Sequence, residues 1–214
     1  MFAAAGGLAA DASAATISTT IPCVRNIGIP GALTLPIVAA GFAPNSSVTV
    51  RTATASDPTT RTLTTIKADA NGSITTRIDP PPLHSATTFE QAFTLAAIDN
   101  ASPANIATTT FRQVRFGFDA QPSTGRPTRK VTYTARGYLP GKPVFAHFRF
   151  KGSTRRDVLL GVADSPCGIV SKRMRLLPTK TRFGTWTVYM DQERHYSKKT
   201  LLQAKGSLSI ARTR

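Results

Sequence analysis

Only two cysteines, one tryptophan and eleven acidic residues occur in 214 positions. Each shortage closes off a class of protein. Cysteines at positions 23 and 167 alone cannot supply a paired C-x-x-C zinc site or the dense framework of a small disulfide-stapled scaffold. Of the eleven Asp and Glu, five lie after residue 112, which leaves few candidates there for a carboxylate pair in glycoside hydrolysis. No acidic calcium loop occurs. No apolar run approaches the roughly 18 residues that a spanning helix needs. The phosphate-binding G-x-x-x-x-G-K-[ST], the nucleophile elbow G-x-S-x-G and the zinc motif H-E-x-x-H are all missing. No cofactor and no metal site are expected.

What the chain does hold is β-branched residues punctuated by 15 Gly and 15 Pro. Thr, Val and Ile suit a pleated, half-buried surface, and punctuation this frequent leaves no room for long helices. The expected class is all-β. Alternation of apolar and polar positions predicts strands at 31–40, 46–54, 60–67, 72–79, 89–99 and 105–115, then at 129–136, 142–151, 155–163, 168–176, 184–191 and 201–211.

The two series repeat each other. Gly41-Phe42-Ala43-Pro44-Asn45 matches Gly137-Tyr138-Leu139-Pro140-Gly141 at an offset of 96, and Gly72 falls on Gly168 at the same offset. "FTLAAID" (93–99) matches "WTVYMDQ" (186–192). A period near 100 residues is the size of a β-sandwich domain, too long for a solenoid unit. Pro at the first central position of a turn presets φ, and Asn or Gly next to it accepts the left-handed conformation. The fold expected is two tandem immunoglobulin-like Greek-key β-sandwiches. They would span 17–115 and 129–214, with 116–128 ("FGFDAQPSTGRPT") as a Pro- and Gly-rich linker. Residues 1–16 read as a remnant signal peptide, with Ala12-Ser13-Ala14 as an A-x-A site, or as a flexible alanine-rich tail.

The segments "GYLPGKPVFAHFRFKG", "RRDVLLGVADSPCG" and "GTWTVYMDQERHY" resemble the tandem immunoglobulin-like domains of secreted, largely uncharacterised proteins from high-GC Gram-positive bacteria. The first half shares only the Gly-aromatic-x-Pro turn. The resemblance implies an exported or cell-surface β-sandwich protein and carries no catalytic residues with it.

Charge is unevenly placed. The formal net charge is +16, yet residues 1–112 hold six basic and six acidic side chains, so the whole excess belongs to residues 113–214. Alternation sets Arg149 and Lys151 on one face of their strand and Arg173 and Arg175 on one face of theirs. If those strands are neighbours they form a basic stripe, extended by Arg155, Arg156, Lys198 and Lys199 from turns, with Phe145 and Tyr189 nearby. Such a face fits an anionic partner: a wall teichoic acid, anionic lipid headgroups, an acidic polysaccharide or a nucleic acid. The competing reading is a structural or protein–protein interaction module whose charge only keeps it soluble and guards its sheet edges.

Cys23 and Cys167 are a candidate disulfide; a buried, unpaired Cys167 is the alternative. The same cysteine allows an enzyme reading, with His147 or His195 as base and Arg173 or Arg175 as oxyanion partner. "SPCG" (165–168) is loosely reminiscent of envelope cysteine transpeptidases but lacks their His-Gly pair before the nucleophile. His147 is expected mid-strand in cross-strand packing, His84 in a loop and His195 in an ordinary turn. The expectation is a non-enzymatic protein.

Overall fold

A computed structural model describes residues 14–26, 34–55, 60–177 and 183–211 of the chain. Among them the regular structure is all strand. In chain order the strands are β1 (Thr16–Ser18), β2 (Cys23–Asn26), β3 (Leu35–Ala40), β4 (Ser47–Ala53), β5 (Arg61–Lys67), β6 (Ile74–Ile78), β7 (Glu90–Asp99), β8 (Ile106–Arg115), β9 (Gly117–Gln121), β10 (Thr124–Gly125), β11 (Lys130–Arg136), β12 (Pro143–Phe150), β13 (Ser153–Val162), β14 (Val170–Arg175), β15 (Gly184–Asp191) and β16 (Ala204–Ile210). Twelve of these fall within or against the stretches read from alternation. The expected signal segment lies mostly outside the described residues.

The sixteen strands form two series with one wiring. The first has sheets ordered β1-β3-β6 and β2-β8-β7-β4-β5, the second β9-β11-β14 and β10-β16-β15-β12-β13. Adding eight to each label of the first series gives the second. In both, the short second strand runs parallel to the last, β2 along β8 and β10 along β16. These are two immunoglobulin-like β-sandwiches in tandem. By contacts the chain divides into a first unit of Met1–Ile21, Thr34–Pro81 and Phe93–Phe111 and a second of Pro22–Leu33, Pro82–Ala92 and Arg112–Arg214.

Residues 116–128 were the expected linker, and here the structure corrects the sequence reading. They hold β9, which pairs with β11, and β10, which pairs with β16. Pro and Gly in this stretch break one edge strand into two short pieces, each of which joins a different sheet.

The shared turn forms in both copies. Ser46 N–H donates to Ala43 O at 3.1 Å and Lys142 N–H to Leu139 O at 3.4 Å, with Asn45 at φ 59° and Gly141 at φ 76° in the third position. Gly72 and Gly168 answer for a second shared feature. Phe42 N–H donates to Gly72 O and Tyr138 N–H to Gly168 O, both at 3.1 Å. A Cβ on Gly72 would stand 2.0 Å from Phe42 O, and one on Gly168 would stand 1.8 Å from Tyr138 O. Only glycine lets the two backbones come this close.

In the first unit Leu35, Ile37, Val48, Val50 and Leu95 are buried, and the rings of Phe93 and Phe111 stack 5.3 Å apart. In the second, Tyr133, Tyr138, Phe148, Leu176, Trp186, Met190 and Leu208 form the core. Tyr138 Oη donates to Met190 O at 2.9 Å and Tyr133 Oη to Leu176 O, so neither buried hydroxyl is left without a partner. Cys23 and Cys167 are joined by a disulfide with Cα atoms 5.3 Å apart, buried beside Val114 and Ile169.

Candidate functional site

Of the eight candidate cations, the structure divides five, Arg149, Arg155, Arg156, Arg173 and Arg175, between two sheets and leaves three in turns or loops. β12 pairs with β13 and β15, whereas β14 pairs with β11 in the other sheet. The stripe expected from Arg149, Lys151, Arg173 and Arg175 on adjacent strands therefore does not form. Alternation assigns a side chain to a face and says nothing of which strand lies beside it. Arg155 and Arg156 are exposed on β13, and Arg173 and Arg175 are exposed on β14. Lys151 sits in the turn after β12 at φ 48°, its Nζ 5.9 Å from the centre of the Phe150 ring. Lys198 and Lys199 are exposed in the loop after β15.

Arg149 is turned inward on its own unit. Its Nη2 donates to Gly152 O, and its guanidinium lies 4.1 Å from the Tyr196 ring centre and 5.6 Å from that of Tyr189. That stack covers a more unusual group. His147 lies on the outer face of its strand, opposite Asp157 on one side and Tyr189 on the other, yet it is 0% exposed. His147 Nδ1 is 2.7 Å from Asp157 Oδ1 and Nε2 is 3.0 Å from Asp191 Oδ1. Two nitrogens that both face carboxylate oxygens favour the imidazolium, the form that has a hydrogen to donate on each side. Burial pulls the imidazole toward the neutral form, but the hydrogen bonds and charges of Asp191 and Asp157 outweigh it and raise its pKa above the ordinary value.

The loop between β15 and β16 is the lid over this group. Asp191, itself 0% exposed, accepts from Gln203 Nε2 at 2.7 Å and from Glu193 N–H at 2.9 Å. Burial works to raise its carboxyl, but the bonds from His147, Gln203 and the Glu193 N–H prevail and hold its pKa below the usual range. Gln203 also donates to Ser197 O at 3.0 Å, and the Tyr196 ring sits edge-on to His147 with centres 5.9 Å apart. His195 remains at the surface, 82% exposed, 3.6 Å from Asp157 Oδ2. The arrangement fastens residues 192–203 down onto the sheet. His147 has no surface and no spare nitrogen with which to meet a bound molecule, and the Cys167 sulfur is held by Cys23.

The first copy lacks this device. Arg51, exposed, occupies the position of His147, and the rung Thr49–Ile98 corresponds to Phe145–Asp191. What both copies keep is a side chain at the end of the same strand that accepts from the shared turn. Asp99 Oδ2 receives Ala43 N–H at 2.9 Å, and Gln192 Oε1 receives Leu139 N–H at 3.0 Å. Sequence reasoning placed His147 correctly within its strand but missed Asp157, Asp191 and Gln203 as its partners. The signal was there in the comparison of the copies, where an Arg and an Ile give way to a His and an Asp. Among the described residues no group of three or more His, Cys, Asp and Glu is placed to hold a metal ion, and no helix is long and apolar enough to cross a membrane.

No protein-family model and no curated protein matches the chain. Among solved structures it is similar to a tetra-tandem repeat from the extending region of a large adhesion protein, at 14% identity and a TM-score of 0.31, over 93% of this chain and 49% of that one. It is also similar to an Escherichia coli alpha-2-macroglobulin activated by porcine elastase (9%, TM-score 0.44, over 95% of this chain and 22% of that one) and to bovine butyrophilin (9%, TM-score 0.33, over 94% and 100%). The chain spans half or less of the length of the first two.

Proposed function

We propose that the protein is an exported, non-enzymatic module of the cell envelope whose second unit binds a polyanion, with the first unit as spacer or platform. The observation that carries this is the fate of the acidic residues after position 112. Asp119 is paired with Arg136, Asp157 and Asp191 with His147, and Asp164 caps the backbone at Ile169 N–H, 2.8 Å away. Three of the five carboxylates are thus paired within the unit and a fourth, Asp164, is engaged by backbone, so few carboxylates remain beside the many surface cations. A disulfide between buried cysteines supports an oxidising compartment. The occupied Cys167 sulfur and the enclosed His147 support a binding role over a nucleophilic one.

The test is retention of the full chain on immobilised heparin or teichoic acid. Each phosphate or sulfate that is bound releases a counterion, so retention at low salt is expected to vanish by about 0.5 M. Passage through the column at low salt, or retention indifferent to salt, refutes the reading.

A further inference from the structure

The end of the second unit where β10, β11 and β16 approach each other holds a cleft of about 380 Å3, lined by Gly125, Arg126, Thr128, Arg129 and Ala211. Among the described residues its walls bring two guanidinium groups and no carboxylate side chain. They project from the two ends of one tight turn, in which Arg129 N–H donates to Arg126 O at 3.0 Å around Pro127. The turn is tied down from outside: Leu177 N–H donates to Pro127 O at 3.0 Å and Leu176 N–H to Arg129 O at 2.7 Å. Gly125 adopts φ 139°, and a Cβ there would meet Arg129 Cδ at 3.0 Å, so the arginine stem lies along bare backbone.

The next rung continues the charge. Lys130 stands directly opposite Arg175, and Arg173 opposite Thr132, with Val131, Tyr133 and Ala135 buried on the other face. Like charges directly opposed on an antiparallel pair repel. Among the described residues none of Arg126, Arg129, Lys130, Arg173 and Arg175 has an ion-pair partner. An anion lying across them would turn that repulsion into attraction. Same-face neighbours on a strand are about 7 Å apart, so the cations step along the sheet in a line.

We propose that this cleft and the Lys130–Arg175 rung form one track for a linear phosphate polymer. The inference rests on the polyanion reading above and assigns it a place and a ligand class. A line of forked guanidinium donors suits tetrahedral phosphates strung along a chain, where each can be held by two hydrogen bonds. Arg175 alone of the cations singled out from sequence lies on the rung itself.

The experiment is fluorescence anisotropy with end-labelled inorganic polyphosphate, using the full chain. The arms are unlabelled polyphosphate, poly(glycerol phosphate), orthophosphate and heparin as competitors. All the substituted residues except Gly125 are exposed, and melting followed by Trp186 confirms that each variant is folded. Arg126→Ala/Arg129→Ala/Arg175→Ala is expected to weaken binding roughly tenfold or more, and to flatten the dependence of log K on log salt by about 0.7–0.9 for each phosphate no longer held. Gly125→Ala, which displaces the Arg129 stem, is expected to weaken it as well. Arg155→Ala/Arg156→Ala, on the other sheet, is expected to leave it unchanged. Weakened binding by the Arg155/Arg156 variant with full binding by the triple variant overturns the cleft and leaves the polyanion reading standing. No binding of any polymer by the native chain overturns both. Orthophosphate competing as well as the polymers overturns the extended track, and heparin competing better than polyphosphate overturns phosphate as the ligand class.

Discussion

Replacing His147 by Ala would leave Asp191 as a fully enclosed carboxylate with only Gln203 and the Glu193 N–H for company. Removing one partner of a buried ion pair costs about 3–5 kcal/mol, because the survivor keeps its desolvation cost and loses its compensation. For a domain of this size each kcal/mol shifts the melting temperature by about 4 °C, so the variant is expected to melt roughly 12–20 °C lower. The chain has one tryptophan, Trp186, which is buried in the core of the second unit, so its emission follows that unit. Native protein carries a pH signature that the variant lacks. A histidine whose folded pKa is raised contributes stability that is fully present below the unfolded value of about 6.5 and is lost as pH rises through the folded value. Asp191, with a lowered pKa, contributes stability present above about 3.9 that is lost as pH falls through its own folded value. Native protein is therefore expected to melt at its highest temperature between these limits and to lose stability toward alkaline pH, while His147→Ala shows no alkaline loss from this source. A variant that melts with the native protein, or two superimposable alkaline profiles, would refute the reasoning.

Gly168→Ala is expected to destabilise the second unit by several kcal/mol, since its new methyl would stand 1.8 Å from Tyr138 O, and a Trp186-monitored urea titration checks it. An unchanged midpoint would mean that the two backbones do not approach as described. Cys23→Ser/Cys167→Ser removes a closure spanning 144 residues, worth about 5 kcal/mol in the chain-entropy picture, and should lower the urea midpoint without changing the strand signal in circular dichroism. An unaltered midpoint would show that the bridge contributes nothing.

The duplication was plain in sequence because its anchors are chemically demanding. Gly72 and Gly168 cannot be replaced where a carbonyl stands about 2 Å from the missing Cβ, and Pro44 and Pro140 preset their turns. The four strands that escaped, β1, β2, β9 and β10, are two to five residues long, too short to show a period, and two of them hide in a stretch whose Pro and Gly imitate a linker. The basic stripe failed for a different reason. Faces follow from alternation, but placing Arg149 beside Arg173 requires strand order, and the chain crosses to the other sheet between β13 and β14. The His147 group was hidden because alternation correctly sets His147 and Asp191 on an outward face. What encloses them is an aperiodic loop, whose path depends on Gln203 and Tyr196 reaching back over the sheet.

The Cys23–Cys167 bridge also decides how the molecule carries a load. Tension applied on either side of it passes straight through the sulfurs, and everything from residue 24 to residue 166 is bypassed. That shielded stretch includes β3 to β13 and amounts to roughly 500 Å of contour length that cannot be drawn out while the bond holds. A protease that nicks this stretch once likewise releases no fragment: both pieces stay on one covalent thread, and the cut becomes visible only after reduction.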